Sequence, residues 1–247
     1  MDVLLKICSF PAEALSRLPV IGPLIKVCCT SVGQKILMAL TGLALCGFLV
    51  AHLAGNLLLY SGAEQFNEYA ERLHSLGPVL WAAELGLLAT FVIHICLAVS
   101  TAAMSLRARG SSYAEKESKQ STFVLLGGGA SNWMVPTGLA ILVFLILHVS
   151  DMKFNLRGVG VGEEDTFEHV KAVLNNNVTR IVYLIGLVAL GIHLSHGVSS
   201  AFQTLGINHA RWNGLIRIAG VLFAWAIALG FMSLLAWAFN AAAAAAG

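Results

Sequence analysis

Four histidines, His52, His94, His148 and His193, sit one apiece inside four of five long apolar stretches of a 247-residue chain. An ionisable ring is costly in such a stretch and marks a functional position by default. Imidazole is a common axial ligand of haem iron, and inward-facing side chains on neighbouring helices are how a bundle builds a cofactor site. Four such rings make two bis-histidine sites, and the chemistry they suggest is electron transfer.

The elements that would hold them follow from composition. With 57% hydrophobic and only 11% charged residues, the chain is ill suited to be a soluble domain and reads as an integral membrane protein. Windows of about 20 apolar residues, enough for a helix to cross the hydrocarbon core, place spans near 34–60, 79–106, 131–151, 178–205 and 214–240. The expected fold is all-α, a five-span membrane bundle around two b-type haems. An interfacial segment is expected over 1–30, where Pro11, Pro19 and Pro23 interrupt the apolar run and no cleavable signal is evident. The domain proper runs over 31–240, followed by an Ala-rich tail at 241–247.

Positive charge is retained on the cytoplasmic side of short loops. Lys6, Arg17, Lys26, Lys35, Arg107, Arg109, Lys116, Lys119, Arg211 and Arg217 fall on one side, which is ten of the fifteen basic residues. The opposite connections hold Glu64, Glu68, Glu71, Glu163, Glu164, Asp165 and Glu168 against five basic residues. The N-terminus is therefore read as inside and the C-terminus as outside.

At about 1.5 Å of rise per residue, His52 lies about 27 Å along span one, and His148 lies at a similar outer level in span three. His94 and His193 each lie about 22 Å in from the outer face on spans two and four. Two matched pairs at two depths would stack two haems along the membrane normal. No Cys-x-x-Cys-His occurs to attach haem covalently, so any haem is b-type; Cys46 and Cys96 read as apolar filler and Cys28 and Cys29 as reduced thiols.

In span four His193 carries Gly186, Ala189, Gly197 and Ser200 on its own face, a small-residue stripe that a flat macrocycle could approach. His196 lies about 60° away from it. Gly55 and Asn56 follow His52, and Asn56 is a candidate for the haem environment. Haem propionates need cations, for which Lys35, Arg107, Arg109 and Arg211 are available inside and Arg72, Lys153 and Arg180 outside.

These features together resemble one family: the diheme cytochrome b membrane anchor of succinate dehydrogenases and fumarate reductases, in its single-chain, five-span form. The resemblance covers roughly residues 31–235 and is carried by S-V-G-Q-K-I-L-M-A-L-T-G at 31–42, H-L-A-G-N at 52–56, F-N-E-Y-A at 66–70, the histidines of spans two and three, and H-L-S-H-G-V-S-S-A-F-Q-T-L-G at 193–206. It implies that His52 and His148 ligate the distal haem, and His94 and His193 the proximal one. Gly197 and Leu205-Gly206 then fit His193 as the ligand of span four rather than His196. It implies also a bacterial inner-membrane location, a flavoprotein and an iron-sulfur subunit as partners, and quinone, menaquinone by preference, as substrate.

Dicarboxylate chemistry would lie on those partners, because the chain has no dinucleotide fingerprint and no cluster ligand set. No nucleic acid is expected, and a higher oligomer of the complex is left open. The inner loops 107–119 and 207–217 are candidate docking surfaces. For the quinone, Glu84 near the outer end of span two is the foremost acid, with Asn67, Glu68 and Asp151 behind it. Ser31, Gln34 and Lys35 could hold a quinone on the inner side.

Two rivals remain at this stage. One is the diheme cytochrome b subunit of a hydrogenase, formate dehydrogenase or nitrate reductase. The other is a small proton-coupled transporter, which predicts discontinuous helices and internal repeats; no duplication is read from the sequence.

Overall fold

A computed structural model describes residues 30–108, 133–160 and 165–246, with the backbone alone for 106–108 and 241–246. The expected interfacial segment and the 109–132 part of the inner connection lie outside these residues. All regular structure among the described residues is helical: α1 Ser31–Asn56, a short 3-10 turn at Leu57–Ser61, α2 Ala63–His74, α3 Pro78–Ala108, α4 Met134–Met152, α5 Thr166–Asn175, α6 Asn177–Thr204 and α7 Ala210–Ala246. Five of them are long and apolar enough to cross a membrane: Ser31–Ser61, Pro78–Ser105, Met134–Met152, Asn177–Thr204 and Ala210–Asn240. These bounds differ from the sequence reading by four residues at most, and the chain has the make-up of a membrane protein.

Local chemistry sets the ends. Thr30 caps α1 by accepting from Gly33 N at 3.0 Å, and Asn176 caps α6 by accepting from Val178 N and Thr179 N at 3.1 Å each, so orphan donors of each first turn are satisfied. Gly62, at φ 101 and ψ 178, adopts a conformation open essentially to glycine and turns the chain from the 3-10 segment into α2. Within the spans, the hydroxyls of Thr41, Thr90, Thr101, Thr137 and Ser195 bond to carbonyls one turn back, which satisfies them where water is absent.

Helix α6 is the centre, with half of its span buried in protein against 6% for α1 and for α3. It packs on α7, α4 and α1; α3 packs on α1. Lipid gives helices little apolar reason to associate, so close packing at small residues matters most. A Cβ at Gly191 would lie 3.1 Å from Trp225, and one at Gly186 would lie 2.5 Å from Phe144. Leu187, Leu190, Leu194 and Val198 of α6 bury against Ala224, Ile227 and Leu235 of α7.

The short helices α2 and α5 gather at one end. Phe66 meets Phe167 with ring centroids 6.2 Å apart, Leu59 and Leu234 complete the cluster, and Trp237 packs against it. Asn67 accepts from Phe167 N at 2.9 Å and donates to Asp165 at 3.0 Å. Together these contacts close over one end of the bundle, the capped end.

Candidate functional site

Near the capped end, α1 presents His52 and α4 presents His148, with ring centroids 5.9 Å apart at 84°. Phe48 stacks on His52 at 5.2 Å, Phe144 lies 5.6 Å from His148, and Phe231 of α7 lies 5.6 Å from His52. The Nδ1 atom of His148 is 3.0 Å from Tyr183 Oη of α6. Asn56 donates to the His52 carbonyl at 2.8 Å and makes a long 3.4 Å contact to its Nδ1. Two imidazoles on opposite sides of one iron, at about 2 Å per metal–nitrogen bond, have centroids about 6 Å apart. The observed separation fits that requirement.

The second pair lies farther from the capped end. His94 Nδ1 is 3.1 Å from Thr41 Oγ of α1, and His193 Nδ1 is 3.2 Å from Thr137 Oγ of α4. His193 lies within electrostatic reach of His94 and of His196. Thr41 spends its one proton on the Leu37 carbonyl at 2.8 Å, and Thr137 spends its proton on the Trp133 carbonyl. Each hydroxyl therefore accepts from the imidazole, which puts the ring proton on Nδ1 and leaves the Nε2 lone pair for a ligand. Iron-ligating histidines are held in this way by their second nitrogen.

His52 lies eleven positions after Thr41, and His148 eleven positions after Thr137, so the two levels stand about 16 Å apart along the helices. The equality has a cause that the sequence reading missed. Residues 38–52 and 134–148 both read Met-x-x-Thr-Gly-Leu-Ala-x-x-x-Phe-Leu-x-x-His, eight shared positions of fifteen. The following spans share Ile-His-x-x-x-x-Val-Ser-x-Ala, at 93–102 and 192–201. The expectation of no duplication is thus corrected: α1 with α3 and α4 with α6 are two copies of one unit, running in the same sense. Spacers of different length between them hid the period. Thr41 and Thr137, absent from the sequence-derived candidates, were legible as part of this repeat.

One divergence between the copies bears on the site. Tyr183, the partner of His148, corresponds to Glu84 in α3. Glu84 makes an ion pair with Lys153 just beyond α4, and both side chains are nearly half exposed. Lys153 also lies 6.0 Å from the Trp81 ring.

Gly197 lies four residues past His193, and a Cβ built on it would meet nothing within 4 Å, which leaves room on that face for a flat group. Gly186, read as part of the same stripe, is instead filled by Phe144, and Gly55 by the Tyr69 hydroxyl; both serve helix packing. Gln34 accepts from Ser100 at 2.8 Å, while Ser31 and Lys35 are exposed at the far end of α1. Arg180 is turned onto α7, 4.8 Å from the Phe239 ring, and donates to Asn177. The Arg107 side chain lies outside the described residues.

Asp151 and Asn67 have structural partners. Asp151 is fully buried and held by Arg157 through Nε at 2.7 Å and through Nη2, with Thr179 donating at 3.3 Å; these bonds push the guanidinium pKa up. Asn67 holds the Asp165 carboxylate well below its ordinary range, aided by Glu168 N. Glu68 pairs with Arg72 at the surface. Among the described residues no group of three or more His, Cys, Asp or Glu is arranged to hold a metal ion; a bis-histidine haem asks for two ligands, and His52 with His148 and His94 with His193 are the residues that could supply them. Comparison with family models, with curated proteins and with solved structures returned no match.

Proposed function

We propose that this chain is a transmembrane diheme cytochrome b that anchors a succinate:quinone oxidoreductase. In this reading His52 and His148 ligate the distal haem and His94 and His193 the proximal one. The observation that carries the diheme reading is the pairing of four intramembrane histidines at two levels of a duplicated unit, with Nδ1 of three of them held within 3.2 Å by a hydroxyl. The succinate side rests on the motif resemblance. When bound, haem supplies reversible one-electron chemistry at iron.

The chain's own contribution is positional. Thr41 and Thr137 orient two rings, Tyr183 orients a third, and the aromatic side chains Phe48, Phe144 and Phe231 line the His52 and His148 level. Flavoprotein and iron-sulfur subunits dock on the basic side, at loops 107–119 and 207–217, with the N-terminus inside a bacterial inner membrane and the C-terminus outside. Quinone, menaquinone by preference, reacts at the membrane, where Glu84 exchanges protons at the capped end and Ser31, Gln34 and Lys35 offer polar contacts at the other. Lys35, Arg107 and Arg180 are the cations assigned to propionates, Arg180 only after leaving Phe239; Gly197 and Asn56 belong to the haem surroundings.

The internal repeat also suits a transporter, yet such a protein would carry substrate on broken helices, and the five spans are unbroken. The test is a dithionite-reduced minus oxidised optical spectrum with a haem count on the detergent-purified complex. Two haems b per chain reducible by succinate, with flavin in the same preparation, support the full reading. Two haems without flavin favour another diheme dehydrogenase, and a folded preparation without haem refutes the electron-transfer reading.

A further inference from the structure

We propose that Thr41 and Thr137 are positioning residues that together set the reduction potential of the proximal haem without acting on the distal one; this rests on the diheme reading above. They occupy the same place in the two repeats, and each faces one imidazole of the second pair, at 3.1 Å and 3.2 Å. Each is followed by a glycine that lets the ring close in: a Cβ on Gly42 would lie 3.3 Å from His94 Cε1, and one on Gly138 would lie 3.7 Å from His193 Cε1. The repeat thus holds His94 and His193, the two residues that would ligate the proximal haem, through the same hydroxyl contact. The other level lacks this symmetry, because His148 uses Tyr183 while His52 has only the long Asn56 contact.

The physical effect follows from the direction of the hydrogen bond. A ring whose Nδ1–H is accepted by an oxygen is a stronger donor through Nε2, which favours the more highly charged ferric iron. Each hydroxyl is polarised further because its proton is committed to a carbonyl one turn back, Leu37 for Thr41 and Trp133 for Thr137. Removing either hydroxyl weakens the donor ring and raises the midpoint potential of that haem. The Met38 and Met134 carbonyls also lie close to the His94 and His193 rings, so each ring keeps a polar neighbour and the haem is retained.

The experiment is redox titration and low-spin electron paramagnetic resonance of the intact complex carrying Thr41→Val, Thr137→Val, both together, and the corresponding Ser variants. The expected result is two haems per chain throughout, an upward midpoint shift of the same haem in each Val variant, a larger shift in the double variant, and wild-type values for Ser. If a Val variant fails to assemble, Thr→Ala against Thr→Ser decides: a shifted Ala with a normal Ser supports the assignment, and equal behaviour overturns it. Unmoved potentials, or a shift in the distal haem, overturn it as well. A wild-type complex without two haems would instead fail the underlying reading, before any variant is compared.

Discussion

The Asp151–Arg157 pair gives the sharpest test of the packing around the site. Asp151 has no exposed surface and lies three residues past His148, while Arg157 returns to it from the loop after α4 with two N–H groups and also donates to Thr179. That return depends on Asn155, at φ 44, and on Leu156 N bonding back to the Ser150 carbonyl at 3.0 Å. Arg157→Leu would leave a buried carboxylate with one weak hydroxyl donor, and breaking such a pair from one side costs about 3–5 kcal/mol. Equilibrium unfolding in mixed micelles, read by circular dichroism, should show a deficit of about 4 kcal/mol. Asp151→Asn with Arg157→Leu should return to within about 1 kcal/mol of the native chain, since no charge is left buried. A deficit under about 1 kcal/mol for Arg157→Leu, or a double variant no more stable than Arg157→Leu alone, would refute the reasoning.

Three further outcomes are expected. Gly186→Ala would set a Cβ 2.6 Å from the Phe144 Cβ, an atom rooted in α4 that no rotamer change can move, so the unfolding free energy should drop by about 1–3 kcal/mol and, under the diheme reading, the distal haem spectrum should change with it. Under the diheme reading His193→Ala should lose one haem while His196→Ala keeps two, because His193 matches His94 in the other repeat whereas His196 matches Leu97; a pyridine haemochrome count checks both, and the reverse pattern would move the ligand to His196. The depressed Asp165 carboxyl contributes stability that is present above the ordinary carboxyl range and lost as pH falls through its lowered value. Amide exchange in the first turn of α5 should therefore speed up on acidification below about pH 4, and Asp165→Asn, which keeps an acceptor without the charge, should remove that dependence.

The sequence by itself determined the helices. Five apolar windows near 20 residues leave no other way to satisfy the backbone in lipid, and the structure moved their ends by four residues at most. Helical rise also placed the four histidines at two levels, because depth along a straight helix is a one-dimensional quantity that residue counting supplies. The partners of each ring needed the third dimension. Tyr183 and Thr137 lie 35 and 56 residues from the histidines they face, and which small residues admit a neighbouring side chain is decided by helix crossing: Gly55 and Gly186 are filled by Tyr69 and Phe144, while Gly197 stays open. Asp151 and Asn67 show the same limit from the other side. Their types suited a proton or quinone role, but a carboxylate buried against Arg157 and an amide tying α2 to α5 are committed by tertiary contacts that no local pattern announces. The repeat lay in the sequence all along and gained meaning only when Thr41 and Thr137 were seen against His94 and His193.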